Sequence, residues 1–171
     1  MKNPADTEYA PFYGTYVSLV PETDVVATLE GQPAELRELA SGITAERERF
    51  RYAPGKWSVR EVIGHVIDAE RVFGYRAFCI GRGEQQALPG FDQNDYVATA
   101  GSDTRPLRDL IAEFAVVREA NLLALRQLKD SDWDLTGTAS GHPVTVRALA
   151  FIMAGHVRHH LRILQERYGA R

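Results

Sequence analysis

Cysteine is nearly missing from this chain: Cys79 is the only one among 171 residues. An internal disulfide is thereby excluded, and the apolar helical stretch around Cys79 marks it as a small core residue. A dominant charge is missing too. Twenty Lys and Arg against 23 Asp and Glu leave a formal charge of −3, which gives no global pull towards nucleic acid or anionic lipid. No apolar run approaches the ~20 residues of a membrane span. The first eleven residues are polar, with Pro4, Asp6 and Glu8, unlike a basic-then-apolar leader. The expected setting is the cytoplasm. Internal repeats, charge blocks and low-complexity linkers are also missing, so residues 1–171 read as one domain, long enough to close a hydrophobic core.

What the sequence does contain is helical periodicity punctuated by glycine and proline. An N-terminal extension mixes Tyr9, Phe12, Tyr13 and Tyr16 with prolines and is expected to pack against a bundle without being a principal helix. A first helix is predicted over residues 23–40, with Val25, Val26, Leu29, Leu36 and Leu39 inward; Gly31 and Pro33 threaten to kink or split it. Residues 41–56 read as a connection. Ser58-Val59-Arg60-Glu61 is a capping-box pattern, in which the Ser58 hydroxyl and the Glu61 carboxylate satisfy donors at a helix start. The second helix should run from there to about Ile80.

Residues 84–103 read as a long connection, a kind often functional in compact domains. A third helix follows Pro106, with Leu107, Leu110, Ile111, Phe114, Val117, Asn121, Leu125 and Leu128 at steps of three and four. After a connection over residues 130–143, Thr145 caps a fourth helix from about Val146 to Tyr168, with Gly169 beyond it. No strand pattern competes. The expected fold is all-α, a mainly antiparallel four-helix bundle; up-down-up-down order is the simplest arrangement, and the long loops leave room for a crossover.

The inward seam of the fourth helix reads Leu149, Met153, His156, His160 and Leu164. Two histidines stand where leucines are usual. Residues four apart differ by ~40° in direction and ~6 Å along the axis, so both rings can aim at one point off the helix. His159 diverges by ~60° from His156 and ~100° from His160, which argues against its being a ligand. His65 falls on the apolar stripe of the second helix beside Val62, Ala69 and Val72. Three desolvated imidazoles without partners would each cost ~1–3 kcal/mol, and one shared metal ion removes much of that cost.

Three neutral imidazoles suit zinc, nickel, copper or iron better than magnesium or calcium. Three protein ligands also leave a position for water or a thiol, as in catalytic zinc sites. Asp68, three residues after His65, could orient an imidazole or could pair with Arg71 on the helix surface. Glu61 is explained by capping. Asp92, Asn94, Asp95 and Tyr96 could line the mouth of the site or simply form a turn, and His142 reads as a loop residue.

The pattern Pro54-Gly55-Lys56-Trp57-Ser58, then Glu61, His65, Asp68 and Glu70, then Phe91-Asp92-Gln93-Asn94-Asp95-Tyr96, and finally Gly155-His156-Val157-Arg158-His159-His160 resembles the DinB-like family of metal-binding four-helix bundles, in particular its YfiT-like members. The resemblance spans residues 23–168. It implies a triad at His65, His156 and His160 holding one divalent transition metal, zinc or nickel foremost, and it implies a homodimer. Relatives in that family include S-transferases that use low-molecular-weight thiols, and metal-dependent hydrolases.

Three functions follow as expectations. The first is a metal-dependent thiol transferase acting on small molecules, since sulfur is a nucleophile without a dedicated protein base. The second is a hydrolase, which usually wants a general acid or base near the ion; no Glu neighbours His156 or His160, so Asp68 or Asp92 would have to serve. The third is a non-catalytic, stress-related metal- or ligand-binding protein.

Overall fold

The structure, a computed structural model, describes residues 2–170. Six α-helices form: α1 (Gly14–Val17), α2 (Val25–Ser41), α3 (Val59–Gly81), α4 (Gln93–Ala100), α5 (Leu107–Leu125) and α6 (Val146–Tyr168). The bundle consists of α2, α3, α5 and α6. Its helix starts follow the chemistry read from the sequence. The Ser58 hydroxyl accepts from the Glu61 amide at 3.1 Å while the Glu61 carboxylate accepts from the Ser58 amide at 2.8 Å. Thr145 caps α6 by accepting from the Ala148 amide, and Gly169 ends it in the left-handed region at φ 66°.

Pro33 does not break α2. A proline inside a helix leaves the carbonyl four residues earlier without its donor. That carbonyl belongs to Leu29, and the Arg118 guanidinium of α5 donates to it at 3.0 Å. The broken ladder is repaired from a neighbouring helix.

The order of packing departs from the simple up-down-up-down arrangement and takes the crossover that the long loops allow. Helices α2 and α3 each pack on both α5 and α6. Gly74 lies against Asn121 and Gly81 against Leu128, so α3 and α5 run parallel. His65 meets His156 while Gly81 meets Val146, so α3 and α6 run antiparallel. Glu30 pairs with Arg126 and Gln32 with Arg118, which makes α2 and α5 antiparallel. The four principal helices thus run up, down, down, up, and the connection from α3 to α5 must travel the length of the bundle.

Two elements differ from the sequence reading. The long connection contains α4, started by Asp92, whose carboxylate accepts from the Asn94 and Asp95 amides at 2.7 and 3.3 Å. Only Val97 of that helix is buried, so it has no apolar stripe to betray it. The connection before α6 holds a hairpin, β1 (Thr136–Ala139) and β2 (His142–Thr145), joined through Ser140 and Gly141 at φ 52° and 79°. Both strands have four residues, too few for an alternating pattern to stand out.

The core has two apolar clusters. One gathers Val25, Leu29, Phe73, Leu122, Val146 and residues 148–154; the other gathers Leu36, Ile63, Ile67, Phe114, Val157 and Leu164. Between them lies a buried polar layer. Arg118 forms a bidentate pair with Glu70, both bonds 2.8 Å, and donates to Gln32 at 2.7 Å. Gln32 in turn donates to the Ala154 carbonyl, and Asn121 donates to Glu70. Every principal helix contributes to this layer, which fixes their relative heights around the histidines. No helix among the described residues is long and apolar enough to cross a membrane.

Candidate metal centre

His65 sits in the second turn of α3, a position set by the Ser58–Glu61 box and reinforced by Arg51, which donates to both Glu61 and Asp103. His156 and His160 stand one turn apart on α6. The antiparallel packing of α3 on α6 brings the three rings together, all buried. The Nε2 atoms of His65 and His160 lie 3.0 and 3.2 Å from Nε2 of His156.

Hydrogen bonding alone accounts poorly for three nitrogens so placed. A neutral imidazole has one N–H and one lone pair, so both gaps are bridged only by sharing: His65 and His160 donate into the single lone pair of His156, or its single N–H is split between theirs. A cation instead accepts all three lone pairs. With metal–nitrogen bonds of ~2.0–2.1 Å, ligands of a tetrahedral ion lie ~3.3 Å apart, close to the separations found. The donor set therefore fits a borderline transition metal, and the three histidines are a metal-capable cluster by geometry.

The electrostatics favour the required protonation state. Burial pushes the His65 imidazole down to about 4, with His159 adding in the same direction. Burial first, and then the neighbouring imidazoles, drives His156 and His160 well below the usual value. All three are neutral at neutral pH, with lone pairs available.

The rings are aimed by packing rather than by hydrogen bonds. Nδ1 of His65 and of His160 has no partner. Trp57 packs on His65 with ring centroids 5.0 Å apart; Tyr16 and Phe73 meet His156 edge-on at 5.2 and 5.7 Å. His159 lies outside the cluster, packed between Tyr16 and His160.

Neither acid proposed for this neighbourhood bonds to an imidazole. Asp68 is half-buried, and burial raises its carboxyl above the usual range, but it bonds to neither unpartnered Nδ1. Nor does it form the ion pair with Arg71, which donates to Glu113 at 2.5 Å instead. Asp92 is occupied in capping α4. Its neighbours do approach the site: Phe91 and Gln93 line a cleft of about 440 Å³ beside His65 and His156, with Tyr13, Tyr16 and Phe73. Asn94 lines a second cleft, of about 260 Å³, beside His160 with Trp57 and Lys56. His142 is an exposed strand residue against Phe12.

The sequence reading did not assign Trp57, Tyr13, Tyr16 or Phe73 to the site. The aromatic density before Pro21 was the available signal for two of them. Arg118 was missed altogether, since an arginine on a helix is ordinarily a surface residue.

The chain is thus a four-helix bundle that buries a three-imidazole cluster beside small clefts. Residues 28–164 match the profile of the DinB superfamily, and the chain belongs to that family. Two curated proteins, each a proposed metal-dependent hydrolase, are similar along most of their length. That of Geobacillus kaustophilus is 24% identical over 139 residues, covering 79% of this chain and 77% of its own. That of Geobacillus thermodenitrificans is 23% identical over 137 residues, with the same coverage. Among solved structures, YfiT from Bacillus subtilis, described as a proposed metal-dependent hydrolase of unusual four-helix topology, superposes with a TM-score of 0.73 at 18% identity, over 99% of this chain and 95% of that one. A mycothiol-dependent maleylpyruvate isomerase superposes with a TM-score of 0.68 at 16% identity, over 90% of this chain and 63% of that one. At these identities the structural likeness is one of fold.

Proposed function

We propose that this protein is a metal-dependent thiol S-transferase for small molecules, with His65, His156 and His160 as the ligands of one zinc or nickel ion. The observation that carries the reading is that the cluster borders two clefts, one at His160 and one at His65 and His156, and that no Asp or Glu lines either. Two clefts suit two reactants. The lack of a nearby carboxylate removes the usual general base of a hydrolase but does not hinder sulfur as a nucleophile.

A divalent transition metal held by the three imidazoles supplies Lewis acidity, which makes a bound thiol more acidic. The chain's own residues do the rest. Trp57 and Phe73 shield the imidazoles from water. Burial raises the Tyr13 and Tyr16 hydroxyls above their usual value, so at neutral pH both remain protonated. They serve as hydrogen-bond donors towards an electrophile in the larger cleft rather than as bases.

Hydrolysis is the second reading, favoured by the names of the two Geobacillus relatives. The deciding experiment supplies the metal-loaded protein with a panel of bacterial and synthetic thiols plus a fluorogenic electrophile, and separately with amide and ester substrates. Metal-dependent consumption of thiol and electrophile, lost in His65→Ala, supports the transferase. Turnover of amides or esters without thiol replaces it with the hydrolase, and no turnover in either arm removes both.

A further inference from the structure

Of the three buried arginines among the described residues, two have carboxylate partners: Arg118 has Glu70, and Arg147 has Glu8 and Asp134. Arg76, 2% exposed on α3, has none. Its Nη2 donates to the Pro89 carbonyl at 2.7 Å and to the Ser140 hydroxyl at 2.8 Å, and Nη1 reaches only the Tyr13 hydroxyl at 3.5 Å. Neutral acceptors satisfy hydrogens but leave the charge uncompensated. A buried cation without a counter-ion is costly, and arginine cannot escape by losing its proton.

The surroundings hold the guanidinium in place. Leu88 is stitched to the hairpin, donating to the Thr138 carbonyl at 2.8 Å and accepting from the Ser140 amide at 3.1 Å. That pairing fixes both Pro89 and Ser140, the two acceptors of Nη2. On the other side opens a cavity of about 260 Å³, whose lining includes Arg71, Arg76, Leu88, Phe91 and Tyr96 and no acid. Arg71 adds a second cation at its edge, although Glu113 already pairs with it.

This cavity adjoins the larger cleft of the metal centre. Gly90 and Phe91 line both spaces. Residues 65 and 76 are eleven apart on α3, three turns, and therefore project from the same face of the helix. The Phe73 ring lies between the two features, 5.7 Å from the His156 ring and 5.9 Å from the Arg76 guanidinium carbon. A molecule held at Arg76 by an anionic group has an aromatic path leading to the imidazoles.

We infer that the Arg76 cavity is an anion subsite, which seats the carboxylate or phosphoryl group of a small molecule with a flat apolar body. The anion supplies the charge that Arg76 lacks, in the forked geometry guanidinium favours. That the far end of the same molecule meets the metal rests on the function proposed above; the subsite itself does not.

The test is a titration of the as-purified and the chelator-treated protein with phenylacetate, phenyl phosphate and the neutral phenylacetamide, followed through the backbone amide signals of Gly90, Phe91 and Tyr96. At least one anion should bind tenfold or more tightly than phenylacetamide, equally with and without chelator, and the tighter of the two identifies the group. Arg76→Gln should abolish that preference and Arg76→Lys retain part of it. Comparing ligands on the parent protein keeps the test valid even if Arg76→Gln does not fold. Equal binding of anion and amide, no saturable binding, or binding that disappears with the metal would each overturn the subsite. Loss of metal dependence in turnover, by contrast, would count against the transferase alone.

Discussion

Nε2 of His65 and Nε2 of His156 are 91 residues apart in sequence and 3.0 Å apart in space. Two buried lone pairs at that distance repel unless a proton or a cation lies between them. The contact therefore ties the packing of α3 on α6 to whatever occupies the centre, and metal content becomes a property of the fold as well as of the chemistry.

Metal binding should accordingly appear as stability. Elemental analysis of the purified protein should find about one zinc or nickel per chain, and His65→Ala, His156→Ala and His160→Ala should each abolish it. A ligand present at a hundred times its dissociation constant adds about 2.7 kcal/mol to unfolding. Chelation should lower the melting temperature of the parent and leave the alanine variants unmoved. A parent that takes up no metal on reconstitution, with an unchanged melting curve, would leave the three imidazoles without this role.

The metal-free protein should lose stability as acid is added, in a window set by the same histidines. Folded His65 titrates at about 4 and the unfolded imidazole near ~6.5, so between those values the unfolded chain binds the extra proton. Stability is full above the unfolded value and falls as pH drops towards the folded one, by about 3 kcal/mol for His65 alone. His156 and His160, shifted in the same direction, extend the loss to lower pH. Urea unfolding of chelated protein at pH 7.5, 6 and 5 should show this decline, and it should shrink in His65→Ala. A flat profile would mean that the imidazoles are not desolvated as the structure has them.

Much of this arrangement was legible in the sequence because it depends on periodicity. A stripe at three- and four-residue steps placed His156, His160 and His65 in the core, and the spacing of Ser58 and Glu61 fixed the start of α3. Elements too short or too exposed to carry an apolar stripe, and side chains held by long-range polar contacts, were not legible. Helix α4 buries little and exists through the Asp92 cap, and the hairpin turns within four-residue strands. Arg118 is invisible as a core residue until Glu70, Gln32 and the Leu29 carbonyl are brought around it by two other helices. The same holds for Arg76, whose acceptors Pro89 and Ser140 lie on segments the sequence showed only as loop.

The buried layer should be intolerant of half-measures. Arg118→Met leaves Glu70 charged and desolvated, with the Leu29 carbonyl without a donor, and should cost about 3–5 kcal/mol. Removing both charges in the Glu70→Leu, Arg118→Met double variant should cost less than the sum of the single changes, because no uncompensated ion remains. Chemical denaturation of the three variants measures this coupling. Strict additivity would show that the pair is not the closed unit its bond lengths describe.

Two glycines offer the sharpest contrast between helix propensity and packing. Gly31 lies inside α2, where a Cβ would come no closer than 3.8 Å to the tip of the Glu35 side chain. Alanine there should stabilise by up to about 1 kcal/mol through propensity alone. Gly155 is also helical and stands beside His156, but its Cβ would lie 2.0 Å from the Tyr16 carbonyl oxygen and 2.5 Å from the carbonyl carbon. Backbone cannot rotate aside as a side chain can, so Gly155→Ala must push α1 off α6. Tyr16 would then leave the His156 ring and the wall of the larger cleft. The expected result is a lower melting temperature, faster proteolysis of the N-terminal segment, and altered metal affinity in a variant that keeps all three histidines. If Gly155→Ala instead behaves like Gly31→Ala, the N-terminal segment is not docked where it can shape the centre, and the aromatic wall of the cleft must be rebuilt without Tyr16.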